Sequence, residues 1–326
     1  MKESDIRDNN LFQRYQNLVD IDARKFFYNK NNFKNINYKS WGCKEVRKIF
    51  VKKKFTYLQC TYTKTIFVNP RPRLELLEKF YLNTKSSNYW SNKFLLSKLN
   101  ARKNKTIKPK VDFFSKNFVS YKKKKILDIG AGLGLFLSEL KKRWPKANLF
   151  AVEPSTLMAA KCRSDNIKVF ETTIEKMKAS KNRFDAITCF ELFEHVYDPK
   201  YFLSKIYKLL NKNGIFYFTT PNGMGFDIQM LGKYSKSIYP PYHVNFFNPK
   251  SIELLLKKIG FKIVLIDTPG ELDIDIVENN SSFLEGTKKI FFEKIIKNAS
   301  KKSKEKFQKY LQKNKLSSHM RIVVKK

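Results

Sequence analysis

The chain has 326 residues, of which 42% are hydrophobic and 15% aromatic, so it has enough apolar side chains for a packed core and is not disordered throughout. The length predicts about two domains, or one domain with appended segments. No apolar run approaches the roughly 20 residues of a membrane-spanning helix, and the polar N-terminus does not resemble a signal peptide. We therefore expect a cytoplasmic protein without a membrane span.

The net charge of +37 has two interpretations. One is an anionic partner, such as nucleic acid or a membrane surface. The other is codon bias, because only 11 of the 66 basic residues are arginine and the lysines are spread along the whole chain. Nucleic-acid sites recruit arginine for its bidentate hydrogen bonds. We favour codon bias and keep a nucleic-acid partner as the alternative.

Residues 1–120 form a polar, lysine-rich N-terminal region. Short aromatic and β-branched runs at 57–60 and 66–72 predict a small β-hairpin followed by a turn, and a helix is predicted to begin after Pro72. The lysine-rich stretch 100–110 is predicted to be an exposed linker. We expect this region to be a small α+β unit that precedes a larger domain at 121–326.

Strand and helix patterns alternate from residue 122 onward, which indicates βαβ units around a parallel sheet. The predicted strands cover residues 125–129, 149–153, 168–170, 186–190, 215–219 and 261–266. The predicted helices cover residues 135–143, 157–164, 201–210 and 249–259. A helical insertion at about 283–313 precedes a final strand at 320–324, which we expect to enter the sheet antiparallel.

The strongest motif is a glycine-rich turn, where an apolar strand runs into Gly130, Gly132 and Gly134 and then into a helix. Glycine allows a tight turn and a close approach of a ligand to the main chain, and the helix N-terminus presents free N–H groups. A dinucleotide-binding turn would place its third glycine at position 135, which is leucine. A tight turn with a purely structural role is the alternative.

Two carboxylates accompany this turn. Asp128 lies two residues before Gly130, where it would repel a pyrophosphate but suits a cationic ligand. Glu153 ends the second predicted strand, where an acidic side chain can accept hydrogen bonds from both hydroxyls of a ribose. Such charge-assisted bonds are worth about 1.5–3 kcal/mol each. A ribose joined to a cationic amino-acid head is the chemistry of S-adenosylmethionine (SAM).

Together with later motifs, this turn makes the sequence resemble the class I SAM-dependent methyltransferases. The resemblance covers about residues 122–266 and the final strand, and within the class it is strongest to ubiquinone-type O-methyltransferases and to sugar or polysaccharide methyltransferases. It is carried by motifs at 127–134, 152–154, 184–199, 210–214, 220–222 and 242–249. It implies an α/β fold with a Rossmann-like, seven-stranded, mostly parallel sheet and an antiparallel last strand.

The resemblance also implies which residues contact SAM. The glycine turn, including Ala131, would lie under the methionine part, with Asp128 behind it and Glu153 on the ribose. The adenine would be approached by Pro154, Thr173 and Ile174. The methionine end would be covered by Phe190 and Glu191.

Methyl transfer to oxygen also requires removal of a proton, so the three histidines are candidates for catalysis. We expect His243 to face the substrate, because its loop follows the fifth strand at the carboxyl edge of the sheet, and we place His195 second. Either could be a general base. Alternatively Glu191, Glu194 and the two histidines could hold a divalent metal that acidifies a hydroxyl, or His195 could be structural. We expect no metal, and a structural role for His319.

The N-terminal region resembles the end of a small zinc ribbon found on many sugar-modifying methyltransferases, through Cys60 and the segment 66–72. A structural zinc site needs four ligands. Thr63 stands where the partner of Cys60 would be, and Ser40 stands three residues before Cys43. We therefore expect a degenerate, metal-free remnant. The other two cysteines are predicted to be core residues: Cys162 and Cys189.

The resemblance implies transfer of a methyl group from SAM to a small-molecule or carbohydrate-type acceptor, at oxygen. One rival is a metal-assisted RNA 2′-O-methyltransferase, which predicts binding that falls steeply with salt. The other is a non-catalytic SAM-binding protein, which predicts binding without turnover. No sequence motif of a nucleic-acid-binding module is recognisable. The sequence identifies neither the acceptor nor the oligomeric state.

Overall fold

A computed structural model describes residues 2–177 and 183–326. In the described part, thirteen strands form a seven-stranded sheet, a four-stranded sheet and a two-stranded ribbon. The strands are β1 Phe33–Lys34, β2 Val46–Lys52, β3 Phe55–Cys60, β4 Ile66–Val68, β5 Arg71–Pro72, β6 Lys125–Ile129, β7 Asn148–Val152, β8 Lys168–Phe170, β9 Phe184–Phe190, β10 Leu210–Pro221, β11 Asn245–Phe246, β12 Lys262–Asp267 and β13 His319–Lys325.

Helices cover both faces of the large sheet and most of the N-terminal region. The α-helices are α1 Glu3–Ile6, α2 Asn9–Phe26, α3 Leu74–Asn83, α4 Lys85–Tyr89, α5 Leu99–Arg102, α6 Lys108–Asn117, α7 Leu135–Arg143, α8 Thr156–Ser164, α9 Pro199–Leu209, α10 Phe226–Leu231, α11 Pro249–Ile259, α12 Asp273–Asn279, α13 Gly286–Phe291 and α14 Lys301–Lys313. Among the described residues, none of these helices has the length and apolar character that crossing a membrane requires.

The seven-stranded sheet has the order β12-β13-β10-β9-β6-β7-β8. Neighbouring strands from β10 through β8 pair in parallel, whereas β13 pairs antiparallel with both β10 and β12. This confirms the predicted α/β class, the mostly parallel sheet and the antiparallel last strand. The central parallel strands β6, β9 and β10 are buried on both faces, as their continuous apolar runs require.

The amphipathic helices predicted from the sequence pack their apolar faces into the core. Helix α9 begins directly after its N-cap residue Asp198, whose side chain accepts hydrogen bonds from the N–H groups of Lys200 and Tyr201. Its apolar face, which includes Phe202 and Ile206, is buried. Helix α11 ends at Gly260, in the left-handed region at φ 108°. The insertion predicted at about 283–313 is also helical, through α13, a π-helical turn and α14.

The stretch 100–110 differs from its prediction. We expected an exposed linker, but α5, a π-helical turn at 103–107 and the start of α6 occupy it. Helix α6 buries Val111 and Phe114 completely, just beyond the polar stretch. This tertiary packing stabilises a helix that the local lysine-rich composition does not predict.

The four-stranded sheet joins the N-terminal region to the larger domain. The predicted hairpin is present as β3 and β4, with Leu58 paired to Phe67. The order is β11-β4-β3-β2, and β11 comes from beyond residue 121. Asn245 of β11 pairs with Phe67. The N-terminal sheet therefore supports the segment that follows His243.

Candidate functional site

The glycine-rich turn lies where strand β6 ends at the carboxyl edge of the central sheet. Gly130, Gly132 and Gly134 all have positive φ angles, of 68°, 56° and 70°. A Cβ on Gly130 would lie 2.9 Å from a methyl carbon of Leu192, and one on Gly134 would lie 2.8 Å from Cys162 Sγ. At Gly132 the nearest such atom is 4.0 Å away. The absence of a side chain at Gly130 and Gly134 therefore lets Leu192 and Cys162 pack against the turn. At Gly132 the same absence leaves space in which a ligand can approach the main chain.

Glu153 directly follows strand β7, beside this turn. Its carboxylate accepts hydrogen bonds from the N–H groups of Gly132 at 2.8 Å and Ser155 at 2.9 Å. Burial raises the pKa of Glu153, and these two bonds oppose the shift. A carboxylate has about four lone-pair sites, so two acceptor positions remain for hydroxyl groups. The side chain thus fits the ribose contact that the resemblance implies.

Asp128 lies in strand β6 and accepts a hydrogen bond from the hydroxyl of Thr188 at 2.7 Å. Burial raises the pKa of Asp128 to about 7, against the effects of this bond and of the nearby Lys110. A cationic group placed beside it would favour its ionised form. Asp128 and Glu153 flank the open backbone of the turn, so the residues present fit a ligand with ribose hydroxyls and a cationic head.

The other predicted cofactor residues lie around the same edge. Phe190 is half-buried at the end of β9, with its ring centroid 4.7 Å from that of Phe136. Ile174 is buried in the core. The remaining three are half-buried in the loops that follow β6, β7 and β8: Ala131, Pro154 and Thr173.

Glu191 is engaged by three side chains. It has a φ of 52°, unusual for a non-glycine residue. One carboxylate oxygen accepts from Thr219 Oγ1 at 2.7 Å and from Lys110 Nζ at 3.3 Å, and the other lies 3.2 Å from Nε2 of His319. Burial opposes the ionisation of Glu191, but His319 and Lys110 outweigh it and hold its pKa well below the ordinary range.

Sequence reasoning did not place His319 or Lys110 in the site. Burial opposes protonation of His319, but the Glu191 carboxylate raises the pKa of His319 to about 9, so the imidazole is charged at neutral pH. His319 is the first residue of β13 and pairs with Pro221, the last residue of β10. An antiparallel last strand must begin at the carboxyl edge of its parallel neighbours, and this is the signal that could have found His319.

Glu194, His195 and His243 form a compact cluster beside this pair. One potential ligand atom from each residue lies within 4.8 Å of the others. The two imidazole rings are perpendicular, with centroids 4.8 Å apart, and His195 Nε2 lies 3.9 Å from a Glu194 oxygen. The other Glu194 oxygen accepts from Thr220 Oγ1 at 3.0 Å. Glu191, the fourth residue of the predicted metal set, is not part of this cluster.

The protonation of the cluster follows from its contacts. Nδ1 of His243 lies 2.7 Å from the carbonyl oxygen of Ser237. A carbonyl only accepts, so Nδ1 carries the proton and Nε2 has the free lone pair. Burial lowers the pKa of His243 to about 4 and that of His195 well below its ordinary value. Both imidazoles are therefore neutral at pH 7, whereas burial and the Glu191 charge raise the pKa of Glu194.

Arg71 links the two histidine loops, and no sequence pattern indicated this role. The guanidinium is completely buried. Nη1 donates to the carbonyl of Tyr197 at 2.8 Å, and Nη2 donates to the side-chain oxygen of Asn245 at 3.0 Å. The Asn245 amide donates in turn to the carbonyl of Val196 at 2.6 Å. Each loop thus contacts the other through residues that directly follow a histidine.

A family model described as "Methyltransferase domain" matches residues 99–266, which is more than half of the chain. The chain belongs to this methyltransferase family. The matched segment includes the glycine-rich turn, both flanking carboxylates and the cluster that contains His243. It begins in helix α5 and ends in strand β12, so it leaves out most of the N-terminal region and the final strand.

Two relatives of this methyltransferase are ubiquinone biosynthesis O-methyltransferases. The protein from Coxiella burnetii (strain Dugway 5J108-111) is 32% identical over 108 residues, covering 32% of this chain and 46% of the relative. The protein from Saccharophagus degradans is 27% identical over 151 residues, covering 40% and 64%. The chain spans about half the length of the first of these relatives. A solved SAM-dependent methyltransferase from Archaeoglobus fulgidus is 22% identical, with 71% of this chain and 100% of that chain covered and a TM-score of 0.46.

Proposed function

We propose that this protein transfers a methyl group from SAM to an oxygen atom of a small-molecule or carbohydrate-type acceptor. One juxtaposition carries the proposal. A glycine turn with an open backbone and two carboxylates lies at the same sheet edge as neutral, half-buried imidazoles. Family membership and the ubiquinone O-methyltransferase relatives support methyl transfer and an oxygen acceptor.

Bound SAM supplies a methyl group already activated on a sulfonium, so the protein contributes mainly positioning and proton removal. Glu153 binds the ribose hydroxyls through its two remaining acceptor positions. Asp128 faces the cationic head, and Gly132 allows the ligand to approach the main chain. The half-buried ring of Phe190 covers the methionine end.

His243 accepts the acceptor's hydroxyl proton in our proposal. Its Nδ1–H is fixed by the Ser237 carbonyl, which leaves Nε2 unprotonated at neutral pH. With SAM bound, the acceptor oxygen would take the methyl group as the C–S bond breaks and leaves its electron pair on sulfur, and Nε2 of His243 would take the hydroxyl proton. His195 packs perpendicular to His243 and restricts its ring. A low pKa makes His243 a weak base but keeps it deprotonated across the physiological range.

A second candidate is metal-assisted transfer, favoured by the closeness of the ligand atoms of Glu194, His195 and His243. Two imidazoles and a carboxylate suit a divalent transition metal. A metal held there would acidify the acceptor hydroxyl in place of a base. Activity that is lost after chelation and restored by Mn²⁺ or Zn²⁺, together with loss in Glu194→Gln, would favour this candidate over His243 as a base.

The first experiment is calorimetric titration of the full chain with SAM, S-adenosylhomocysteine and NAD. We expect both sulfur ligands to bind and NAD not to bind. Glu153→Ala removes two charge-assisted hydrogen bonds worth about 1.5–3 kcal/mol each, so SAM affinity should fall by at least about a hundredfold. Glu253→Ala is the matched control, because Glu253 is an exposed carboxylate on α11 that pairs with Lys257.

The outcome separates three hypotheses. Absence of SAM and S-adenosylhomocysteine binding in the wild-type chain would contradict the proposal. Equal weakening by the two glutamate variants would show that general electrostatics, rather than the Glu153 contact, controls affinity. Binding of SAM with no methyl transfer to any acceptor in a metabolite extract would favour a non-catalytic SAM-binding protein.

A further inference from the structure

Two arginine side chains stack on neighbouring rings of one aromatic cluster near the histidines. Arg7 caps the C-terminal end of α1, and Arg102 is the last residue of α5, against which α1 packs. The guanidinium carbon of Arg7 lies 4.2 Å from the ring centroid of Phe12, and that of Arg102 lies 5.9 Å from the ring centroid of Phe94. The two ring centroids are 5.6 Å apart.

Nearby carboxylates neutralise only part of the positive charge of these arginines. Arg7 pairs with Glu3 at 2.6 Å, and the same carboxylate also pairs with Lys236 at 3.1 Å. Across residues 2–177 and 183–326, Arg102 has no ion pair. Its Nη1 is buried and has no hydrogen-bond partner within these described ranges. Burial lowers the pKa of Arg102, and the charge of Arg7 lowers it further.

A buried guanidinium nitrogen without an acceptor is energetically unfavourable, because it loses water without gaining a partner. Aromatic stacking compensates only part of this loss. The fold gains no visible contact from Nη1 in return. The forked donors of arginine match the oxygens of a phosphate or carboxylate. An oxyanion is therefore the group that this arrangement lacks.

The arginine pair is linked to the proposed base through two aromatic rings. The Phe12 ring centroid lies 6.4 Å from that of Tyr239, and the Tyr239 centroid lies 6.3 Å from the imidazole of His243. The hydroxyl of Tyr239 is itself buried without a partner. Phe12 and Tyr239 are both buried core residues, so this chain of rings is packing that connects the arginine pair to the histidine loop.

We propose that Arg7 and Arg102 bind an oxyanion group, a phosphate or a carboxylate, carried by the methyl acceptor. The acceptor is then an anionic small molecule or carbohydrate whose anionic group accepts from Arg102 Nη1. This inference rests on the proposed function for its choice of ligand. The oxyanion site itself can be tested without methyl transfer.

The test uses calorimetric titration of the full chain with inorganic phosphate and, separately, acetate, at about 0.15 M chloride to screen the general positive surface. The variant is Arg102→Gln. The control is Arg47→Gln, because the guanidinium of Arg47 bonds the side chain of Gln59 on the N-terminal sheet. We expect saturable binding of at least one anion to the wild type, and its affinity should fall about tenfold or more in Arg102→Gln but not in the control.

Equal anion affinity in all three proteins would overturn the proposal, because the anion would then bind elsewhere on the basic surface. Absence of saturable binding to the wild type would also overturn it. The anion that binds more tightly identifies the chemical class of the acceptor group. SAM titration of the same samples keeps the proposals distinct, since Arg102→Gln should leave SAM affinity unchanged.

Thermal unfolding provides a second measurement, because an oxyanion site and a purely structural role of Arg102 predict different changes in Tm. Without added anion, Arg102→Met should unfold no earlier than the wild type, because it removes an unpartnered buried charge. Phosphate should raise the Tm of the wild type by mass action and leave that of Arg102→Gln unchanged. A lower Tm in both Arg102 variants without anion would assign the residue to the fold and overturn the proposal.

Discussion

Arg71→Met tests whether one buried arginine holds the two histidine loops together. In the wild type the guanidinium donates to the carbonyls of Val68 at 3.2 Å, Tyr197 at 2.8 Å and Val244 at 3.3 Å, and to Asn245 Oδ1 at 3.0 Å. Methionine fills a similar volume but donates to none of these acceptors. The substitution therefore isolates the hydrogen bonds from the packing.

The magnitude follows from which acceptors lose their donor. The carbonyl of Val244 keeps a hydrogen bond from the N–H of Val68 at 2.9 Å. The carbonyls of Val68 and Tyr197 and the Oδ1 of Asn245 lose the Arg71 donor. A buried acceptor without a partner costs about 1–3 kcal/mol, and removal of the desolvated charge recovers part of that. We expect the free energy of unfolding to fall by about 2–4 kcal/mol.

The assay is urea unfolding of the full chain followed by tryptophan fluorescence. Trp41 is a suitable reporter, because the Arg71 guanidinium lies 5.7 Å from its ring. Arg47→Met is the control, since among the described residues that guanidinium bonds one side chain, Gln59. A loss below about 1 kcal/mol, or a loss equal to that of Arg47→Met, would refute the reasoning. Methyl transfer by Arg71→Met should fall more than SAM affinity, because the arginine contacts the histidine loops.

Three further outcomes follow from the structure. Gly134→Ala should destabilise the protein by about 1–3 kcal/mol, because the new Cβ would lie 2.8 Å from Cys162 Sγ at a positive φ; strict additivity with Cys162→Ala in a double-mutant cycle would contradict this contact. The Glu191 carboxylate raises the pKa of His319 to about 9, so the stability that His319 contributes is complete below its ordinary pKa of 6.5 and is lost as pH rises through 9. The fall in the free energy of unfolding between about pH 6 and pH 10 should therefore be smaller in His319→Gln than in the wild type. Elemental analysis should find less than about 0.1 zinc per chain, and stoichiometric zinc that is lost in Cys43→Ser or Cys60→Ser would contradict the degenerate-ribbon hypothesis.

The glycine turn and its contact with Glu153 could be predicted from the sequence because their parts are local. A strand, a glycine turn and a helix follow each other directly, and Glu153 lies at the end of the next strand. Parallel neighbours bring such strand ends to one edge, so the sequence order already implies the contact between Glu153 and Gly132. The amphipathic stripes of α9 and α11 likewise predicted these two helices, because such a stripe is a local sequence pattern.

The acceptor half depends on contacts between distant segments, which no local pattern specifies. His195 and His243 were identified as candidates, but only tertiary packing brings them to a ring separation of 4.8 Å and turns Glu191 toward His319. Helix α6 is likewise stabilised by the burial of Val111 and Phe114 rather than by its lysine-rich flank.

The sequence by itself predicted the α/β class, the mostly parallel sheet with its antiparallel last strand, and the local strand–turn–helix pattern around the three glycines. The tertiary structure alone decided which charged groups are paired. Arg71 and His319 occur in unremarkable sequence surroundings, and their contacts arise because folding places them beside particular partners. In the described part of the chain, folding buries Arg102 Nη1 without such a partner. Burial and pairing depend on the whole arrangement of neighbours, whereas turns and amphipathic stripes depend on a few consecutive residues.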